Sequence, residues 1–475
     1  MRKTKIVCTI GPATESFEMI MALIKAGMDV VRLNFSHGTL EEQAERIKNI
    51  RAAEEVVGRS IAILMDIQGP KIRIGDVPPT LSLIQQGDRI SFTADPHYVD
   101  ENTVYAAYPK LASDVHTGSI IYLDDGLIEL KVEEVRGAIV RCIVVVGGEL
   151  KPRKGMTLPG VDVDLPPLGE RDLEHIQFGV EHGCDYLAAS FVRKADHVNT
   201  VREAIRACGG DMKIIAKIES GEGVRHIDEI VAAADGVMVA RGDMGIELPP
   251  EDVPLMQKLI IARCNAAGKP VITATQMLDS MIRNPRPTRA EVTDVANAIL
   301  DGTDAVMLSG ETAVGKYPIG AVATMHRIAQ RTEESMDFAQ LLQRKLAVAS
   351  GSVADAIARA TCDTALNVKA AAVLCSTQSG ATARLVSKYG PQAPVVALTP
   401  LLSVARQLAL VWGVYPILVP HTENIDDMID VAICTSLEHG LVNPGDTVAI
   451  VAGVRTGTPG STNMLQVHTI PTQAE

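Results

Sequence analysis

The chain has 475 residues, of which 47% are hydrophobic and 22% are charged, and a chain of this length usually forms two to four domains. Its formal net charge of -13 argues against general binding to nucleic acids or anionic membranes, because the mean field repels polyphosphate. The eight cysteines show no Cys-x-x-Cys spacing, and no apolar run is long enough to be a signal peptide or to cross a membrane without charges. We therefore predict a cytoplasmic protein with free thiols.

Short apolar runs alternate with amphipathic helical patterns from the amino terminus onwards. Eight of these runs are typical of strands buried beneath helices, because they are continuously apolar. They are KIVCTI, MDVVRLNFS, SIAILMDI, DYLAASFV, MKIIAKI, GVMVARG, PVITATQ and DAVMLSG. Eight strand–helix units predict an α/β fold, a (β/α)8 TIM barrel formed by residues 1–70 and 167–337, with its chemistry at the carboxyl ends of the strands.

The pattern changes in residues 71–166, between the third strand and its helix. Apolar residues there alternate with period two, and turn signals such as Asp125-Gly126 separate the runs. This pattern predicts an inserted antiparallel β-barrel domain. Gly69-Pro70 leads into it and Pro166-Pro167 leads out of it, so both connections suit a hinge, and we expect the insert to act as a lid.

Residues 338–475 return to alternating helices and strands. Strand-like runs such as AAVLCST, PVVALT and DTVAIVAG are separated by helical patterns, and MLQVHTI forms a final run. This order predicts a carboxyl-terminal doubly wound α/β domain with a mostly parallel sheet.

Polar residues follow the barrel runs at the ends where catalysis is expected. Lys217 and Glu219 lie two residues apart and therefore on one side of an extended chain, and Asp243 follows the next run. Capping or layer-filling explains any one polar strand end, but not all of them at one rim. A cation and two carboxylates indicate magnesium-assisted chemistry on an anionic substrate. The other polar strand ends are Arg32, Asn34, Ser36, Asp66, Arg241, Thr275, Ser309 and Glu311.

Several motifs together resemble the pyruvate kinase family. They are KIVCTIGPAT, VRLNFSHG, GPKIR, KGMTLPGV, KIES, MVARGDMGIELP and the block from Thr273 to Pro318, in the order in which that family carries them. The resemblance covers nearly the whole chain. It implies transfer of the phosphoryl group of phosphoenolpyruvate to ADP, giving pyruvate and ATP in the final step of glycolysis, by a homotetramer that a phosphorylated metabolite regulates.

The resemblance also implies roles for the rim residues. Glu219 and Asp243 would bind Mg²⁺, with Mn²⁺ as an alternative, and Lys217 would lie against the phosphoryl group in flight. Substrate would further contact Arg32, Gly242, Asp243 and Thr275, while Ser309 and Glu311 would order water for protonation of the enolate. The residues matching the nucleotide contacts are Arg73, Lys154, Asn34 and His37.

One position departs from the commonest family pattern. Potassium-dependent members bind K⁺ through residues matching Asn34, Ser36, Asp66 and the carbonyl of Ile67, and they carry Glu where this chain has Lys71. An ammonium group at that place would supply the charge of the ion, so we predict weak or absent potassium dependence. The alternative is that Lys71 points into solvent.

Two loops of the carboxyl-terminal domain are candidates for an effector site. Hydroxyls and free amides between a strand and a helix can hold a phosphate, although a plain turn explains the same glycines. The candidate effector residues are Ser376, Thr377, Ser379, Gly380, Thr382 and Arg455.

Two other functions remain open from the residues alone. Another magnesium enzyme of the barrel class, acting on phosphoenolpyruvate or an oxoacid by carbon–carbon bond chemistry, would share the same rim. A binding or regulatory protein that kept the scaffold without turnover is the second alternative. The inserted lid with Arg73 and Lys154 favours a nucleotide as second substrate, which a lyase would not need.

Overall fold

The computed structural model describes residues 1–98, 100–346, 351–453 and 462–472. The first barrel elements are β1 (Lys5–Thr9), α1 (Phe17–Ala26), β2 (Val30–Asn34), α2 (Leu40–Val57) and β3 (Ala62–Asp66). Both helices begin at hydroxyl caps: Ser16 accepts a hydrogen bond from the amide of Met19, and Thr39 forms a capping box with Glu42. Their starts are therefore encoded locally.

The inserted domain consists mainly of strands. Its elements are a 3₁₀ turn (Pro79–Leu81), β4 (Leu83–Ile84), β5 (Arg89–Thr93), β6 (Thr103–Tyr105), α3 (Leu111–Asp114), β7 (Ile120–Leu123), β8 (Ile128–Arg136), β9 (Ile139–Val146), β10 (Gly148–Glu149) and β11 (Met156–Thr157). Inward residues of β8 and β9 alternate with more exposed ones, as the period-two pattern predicted. The sequence pattern did not predict the four-residue helix α3.

Apart from Val99, which is not described, the insert forms a six-stranded sheet ordered β11-β7-β8-β9-β5-β6 and a two-stranded sheet of β10 and β4. All pairs are antiparallel except β5 with β6. The two edges of the larger sheet meet through single bridges, Arg73 to Gly155 and Ile74 to Ala106. This short segment joins both edges, so the sheet curls into the expected barrel-like shape.

The chain then returns to the barrel. Its further elements are α4 (Glu170–Glu181), β12 (Tyr186–Ala189), α5 (Ala195–Ala207), β13 (Lys213–Ile218), α6 (Gly221–Arg225), α7 (Ile227–Ala233), β14 (Gly236–Ala240), α8 (Arg241–Glu247), α9 (Val253–Ala267), β15 (Val271–Ala274), a 3₁₀ turn (Asp279–Ile282), α10 (Arg289–Asp301), β16 (Ala305–Leu308), α11 (Gly310–Ala313) and α12 (Pro318–Glu334). Eight strands of the described chain close in the order β1-β16-β15-β14-β13-β12-β3-β2, and every neighbouring pair is parallel. The predicted barrel is confirmed, and its carboxyl strand ends meet at one rim.

The carboxyl-terminal elements are α13 (Phe338–Leu346), α14 (Val353–Asn367), β17 (Ala372–Ser376), α15 (Ala381–Lys388), β18 (Val395–Thr399), α16 (Leu402–Leu408), β19 (Val414–Leu418), α17 (Ile425–Glu438), β20 (Thr447–Ala452) and β21 (Met464–Thr469). Among the described residues, the sheet runs β19-β18-β17-β20-β21, and only the pair of β20 with β21 is antiparallel. The predicted α/β domain is confirmed. The domain boundaries predicted at 70/71, 166/167 and 337/338 fall between these elements.

The carboxyl-terminal domain covers the floor of the barrel, the end opposite the rim. Ala409 and Leu410, which follow α16, are buried in one cluster with strand residues such as Val7 and Ile272. The phenol of Tyr186 on β12 donates to the carbonyl of Gln407 at 2.5 Å. We define this segment, residues 407–414, as the floor segment; its burial joins barrel and carboxyl-terminal domain into one hydrophobic unit.

Polar contacts strengthen the same junction. Arg406 of α16 donates to both carboxylate oxygens of Glu54 on α2, at 2.6 to 3.1 Å. Lys5, which is 3% exposed, donates through Nζ to the carbonyl of Val414 at 2.5 Å. The amide of Trp412 donates to Asp304 at 3.1 Å. The contact between the two domains is therefore both apolar and hydrogen-bonded.

All eight cysteines are unpaired, and six of them are buried, as predicted. Within the described ranges, none of the helices combines the length and the apolar character that a bilayer crossing requires.

Candidate active site

The side chain of Lys217, at the end of β13, lies at the centre of the rim. Its ammonium contacts Glu219 Oε1 at 3.0 Å, Asp66 Oδ1 at 3.1 Å and the hydroxyl of Ser190 at 2.6 Å. Burial opposes the charge, but the carboxylates of Asp66 and Glu219 outweigh it and raise the pKa of Lys217. The rim therefore holds a charged and immobilised ammonium group.

Asp66 is the shared counter-ion of two cations. It lies at the end of β3, where Lys217 contacts one carboxylate oxygen and Arg32 Nε donates to the other at 2.7 Å. Burial alone would raise the pKa of Asp66, but these two cations lower it. Arg32 also donates to the hydroxyl of Thr9 at 3.1 Å, so its guanidinium has a fixed direction.

The two predicted magnesium ligands follow the neighbouring strands β13 and β14 at the same rim. Glu219 is 1% exposed and accepts hydrogen bonds from Lys217 and the amide of Phe191. Burial raises the pKa of Glu219 to about 7, the Lys217 charge opposes this, and the charge of Asp243 adds to it. Asp243, in the first turn of α8, has a side chain that is 37% exposed. The three groups thus face one mouth, as predicted.

These carboxylates suit magnesium better than a metal that needs a complete protein ligand set. Among the described residues, no group of three or more His, Cys, Asp or Glu side chains is arranged to hold an ion. Magnesium typically takes one or two protein carboxylates and completes its shell with water and substrate oxygens. Glu219 and Asp243 provide such a pair, and a cavity of about 700 Å³ adjoins Asp243.

Thr275 lies beside this pair in an unusual backbone conformation. Its φ is 68° and that of Gln276 is 55°, both in the left-handed region that a β-branched residue seldom adopts. Its hydroxyl accepts a hydrogen bond from the amide of Gly242 at 2.8 Å. This hydrogen bond, together with the one that the hydroxyl donates to the carbonyl of Ala274 at 2.6 Å, holds the Thr275 hydroxyl at the rim despite the strained backbone.

Arg241 is the residue that holds this turn in place. Its guanidinium donates to the carbonyls of Ala274 at 3.1 Å and Thr275 at 2.6 Å, and to Asp294 at 2.7 Å. The sequence placed Arg241 among the polar rim residues. The structure shows that its donors are taken up by the protein, so it positions Thr275.

Ser309 and Glu311 lie at the end of β16 and in α11. Glu311 is 2% exposed, and its two oxygens accept the amides of Ser309 at 2.7 Å and Leu278 at 3.0 Å. Burial raises the pKa of Glu311. Its carboxylate is engaged with the backbone, which makes it a support for the rim loops in this structure.

The predicted nucleotide residues fall into two groups. Arg73 and Lys154 are neighbours in the lid, since the amide of Ile74 donates to the carbonyl of Lys154 at 3.0 Å. Lys154 pairs with Asp124 at 2.8 Å. Asn34 is the last residue of β2, and His37 lies on the turn that follows it.

Oxygens of three of the four residues predicted to bind a monovalent cation accept hydrogen bonds within the protein. Asn34 Oδ1 accepts the amide of Ser36 at 3.1 Å, and the carbonyl of Ile67 accepts the hydroxyl of Ser190 at 2.7 Å. Both oxygens of Asp66 are already paired, as described above.

Lys71 lies elsewhere. Its ammonium is 2.9 Å from Asp125 at the lid tip and 4.0 Å from Asp243, with 23% of its side chain exposed. Among the described residues, no hydrogen bond or ion pair joins it to the four predicted potassium ligands. It is therefore paired with carboxylates of the lid and the rim and does not point freely into solvent.

Ser190 is a rim residue that the sequence analysis missed. It follows β12 directly, is 6% exposed, and connects Lys217 to the carbonyl of Ile67. The hinge residue Gly69, with φ 66°, packs so closely that an added Cβ would lie 2.9 Å from Ser190 Cβ. The polar residue at the end of the run DYLAAS was the available signal, because six of the other seven barrel runs were interpreted through their polar ends.

The candidate effector loop joins β17 to α15. Thr377 accepts the amide of Gly380 at 3.0 Å, and Thr382, which is 6% exposed, shares a hydrogen bond with Thr462 at 2.7 Å. Ser376 and Ser379 lie in the same loop. Arg455 lies outside the described residues.

Comparisons with known proteins agree with this geometry. The family model described as "Pyruvate kinase, barrel domain" matches residues 1–322, and "Pyruvate kinase, alpha/beta domain" matches residues 355–468. The chain is 51% identical to a pyruvate kinase of Geobacillus stearothermophilus over 99% of its own length and 80% of the relative. It is 48% identical to pyruvate kinases of Staphylococcus haemolyticus and Sporosarcina psychrophila, over 99% of its length and 81% of theirs. The chain belongs to the pyruvate kinase family of phosphotransferases.

Proposed function

We propose that this chain transfers the phosphoryl group of phosphoenolpyruvate to ADP, giving pyruvate and ATP in the last step of glycolysis. The observation that carries the proposal is the ammonium of Lys217, held by Asp66, Glu219 and Ser190 at the barrel rim. Phosphoryl transfer needs positioning and charge stabilisation more than covalent help from the protein. A fixed cation next to two acidic metal ligands supplies both.

The residues act on the substrate in distinct ways. Glu219 and Asp243 would hold Mg²⁺, or Mn²⁺, which when bound neutralises substrate oxygens and the charge that develops on the phosphoryl group. Lys217 and Arg32 would contact the phosphoryl oxygens from the protein side, Arg32 through the guanidinium edge that Asp66 leaves free. Both cations are already oriented by buried partners, so little reorganisation accompanies the reaction.

The carboxylate and the enolate of the substrate would lie further along the rim. Gly242 leaves room for the substrate carboxylate near the start of α8, because it has no side chain. The hydroxyl of Thr275, held at the mouth by its hydrogen bonds with Gly242 and Ala274, would hydrogen-bond substrate near the face where the enolate is protonated. Ser309 and Glu311 would order water for that proton.

The lid would supply the second half of the nucleotide site. Arg73 and Lys154 are adjacent on the insert, and Asn34 and His37 lie on the barrel. Lid closure would bring the two pairs against the phosphates of ADP and exclude water from the reaction.

We also propose weak or absent potassium dependence. Lys71 places a fixed positive charge within the mouth, 4.0 Å from Asp243, although its partners differ from the predicted potassium ligands. Initial rates in sodium or tetramethylammonium buffer test the proposal, with Lys71→Glu as the matched variant. We expect little change on adding potassium to the natural chain; a many-fold rise would contradict the proposal.

The carboxyl-terminal domain would regulate the enzyme. A phosphorylated metabolite would bind near Ser376, Ser379 and Gly380 at the start of α15, and Arg455 would join them. Thr377 and Thr382 would shape the loop through their internal hydrogen bonds. We further propose a cytoplasmic homotetramer, and rates measured with a panel of phosphorylated metabolites would identify the effector.

One assay separates the proposed function from its rivals. Purified chain with phosphoenolpyruvate, ADP and Mg²⁺ should form ATP and pyruvate in equal amounts. A lyase would form or break a carbon–carbon bond without ADP, and a binding protein would release no product. ATP formation that does not exceed the rate without the chain would overturn the proposal.

A further inference from the structure

Gln43, in the second turn of α2, is a buried polar residue with no role in the site described above. Its exposed fraction is 2%, and a buried primary amide costs free energy unless it forms hydrogen bonds. Its Nε2 donates to the carbonyls of Asn34 at 3.2 Å and His37 at 3.0 Å. The side chain therefore spans the turn that carries two of the predicted nucleotide residues.

The two carbonyls are the ends of one tight turn. The amide of His37 donates to the carbonyl of Asn34 at 3.4 Å, and Asn34 Oδ1 accepts the amide of Ser36 at 3.1 Å. Both partners of Gln43 are carbonyl oxygens, which only accept hydrogen bonds, so the side-chain amide must be oriented with Nε2 toward the turn. Among the described residues, the buried Oε1 of Gln43 has no hydrogen-bond partner. Within the described part of the chain, the side-chain amide of Gln43 thus forms its hydrogen bonds with this turn.

Phe35 anchors the same turn by packing. Its side chain is 3% exposed, and its ring centroid lies 5.2 Å from that of His175 and 5.7 Å from that of Phe178, both on α4. Ser36 and His37 are exposed on the opposite side. The backbone of the turn is therefore held from behind by Gln43 and Phe35, while the side chains that would meet ligand remain accessible.

We propose that Gln43 is a positioning residue for the nucleotide substrate. It fixes the Asn34–His37 turn in the shape that presents Asn34 and His37 to ADP; this inference rests on the proposed function. Arg32 and Lys217 are held by their own side-chain contacts with Asp66, and Gln43 forms none of these contacts. Loss of the Gln43 amide should therefore weaken ADP binding and leave the phosphoenolpyruvate site intact.

The test compares two replacements of similar size. Gln43→Met removes both donors, and Gln43→Glu places a carboxylate against two carbonyl oxygens. We expect the KM for ADP to rise about 5- to 10-fold in the Met variant, a change equivalent to about one hydrogen bond, and further in the Glu variant. The KM for phosphoenolpyruvate should stay within about twofold, because the side-chain contacts of Arg32 and Lys217 with Asp66 remain in the variant. Gln177→Met, which removes an exposed amide that donates to Glu181, is the matched control.

A purely structural role of Gln43 would give a different result. Equal rises of both KM values with a lowered melting temperature, or an unchanged KM for ADP in folded Gln43→Met, would overturn the inference. If the Met variant does not fold, Gln43→Asn removes the reach of the amide without adding volume. Two measurements separate this inference from the proposed function. If the natural chain makes no ATP, the proposed function is wrong. If calorimetric titration with MgADP shows unchanged affinity in Gln43 variants that remain active, only this inference is wrong.

Discussion

At the rim of the barrel, Lys217, Asp66 and Glu219 face one another in a partly open mouth, whereas at the floor Ala409 and Leu410 fill the opposite end with apolar side chains. The rim sets two carboxylates, Asp66 and Glu219, beside one ammonium group and carries a strained turn at Thr275, whereas the floor cluster consists of apolar side chains. Crowding carboxylates in this way is unfavourable without ligands. The apolar floor therefore stabilises the fold, and this stability offsets the free-energy cost of holding charged groups close together at the rim.

We expect mutations at the rim to lower turnover and mutations at the floor to lower the free energy of unfolding. Lys217→Met should lower turnover by ~10²- to 10³-fold or more, because a fixed electrostatic donor is lost from the reacting centre. Steady-state kinetics with phosphoenolpyruvate and ADP measure this. Lys213→Met is the control, since Lys213 lies at the other end of the same strand and pairs with Asp211. Unchanged turnover in Lys217→Met would remove this residue from the mechanism.

Leu410→Ala should mainly affect stability. The side chain is fully buried in the floor cluster, and its truncation leaves a cavity that costs about 2–5 kcal/mol. Denaturant unfolding would show the loss, while turnover of the folded fraction should stay close to that of the natural chain. Leu418→Ala, at a half-exposed position on β19, should change the free energy of unfolding by no more than about 0.5 kcal/mol. A large fall in turnover without loss of stability would mean that the floor segment acts on the rim directly.

The smallest of the three predicted effects is a pH dependence of the free energy of unfolding, and it comes from Lys5 at the floor. Burial lowers the pKa of Lys5 to about 8 from 10.5, against the opposing charge of Asp29. Between these two values the unfolded chain binds more protons than the folded chain, so the Lys5 contribution makes stability rise with pH. The slope should be about 1 kcal/mol per pH unit near pH 9. Lys5→Met should lack this contribution.

Unfolding free energies of both proteins from pH 8 to pH 10 test the Lys5 prediction. The natural chain should gain stability relative to Lys5→Met over this range. Lys3 is buried in the same region, and burial lowers its pKa also, but it is present in both proteins and cancels in the difference. Parallel pH profiles would show that the Lys5 ammonium keeps its ordinary pKa in the folded chain.

The barrel was predictable because continuous apolar runs are local signals. Each of the eight runs lies in or around a strand, and the polar residues after β13 and β14 come together because parallel strands share one rim. The helix α13 was not predicted. The floor segment was not predicted either, because its run ALVWGVYPI resembles the beginning of a strand, and nothing local shows that Leu410 enters the other domain.

Residues whose partners are distant in sequence were also hard to place. Lys71 contacts Asp125, 54 residues away, so its position depends on how the lid folds back. Arg241 was predicted only as a polar residue of the rim, and its pairing with Asp294, 53 residues later, could not be read from the sequence. The polar position of Ser190 at a strand end was visible in the sequence, but its contact with Lys217, 27 residues later, depends on the assembled barrel.

The close approach of Gly69 to Ser190 limits how the lid can be exchanged. Ser190 holds the Lys217 ammonium, so a side chain at residue 69 would push against the support of the reacting centre. A lid transplanted from a related enzyme therefore has to keep glycine at residue 69. Any other residue there would alter the hinge and the chemistry together.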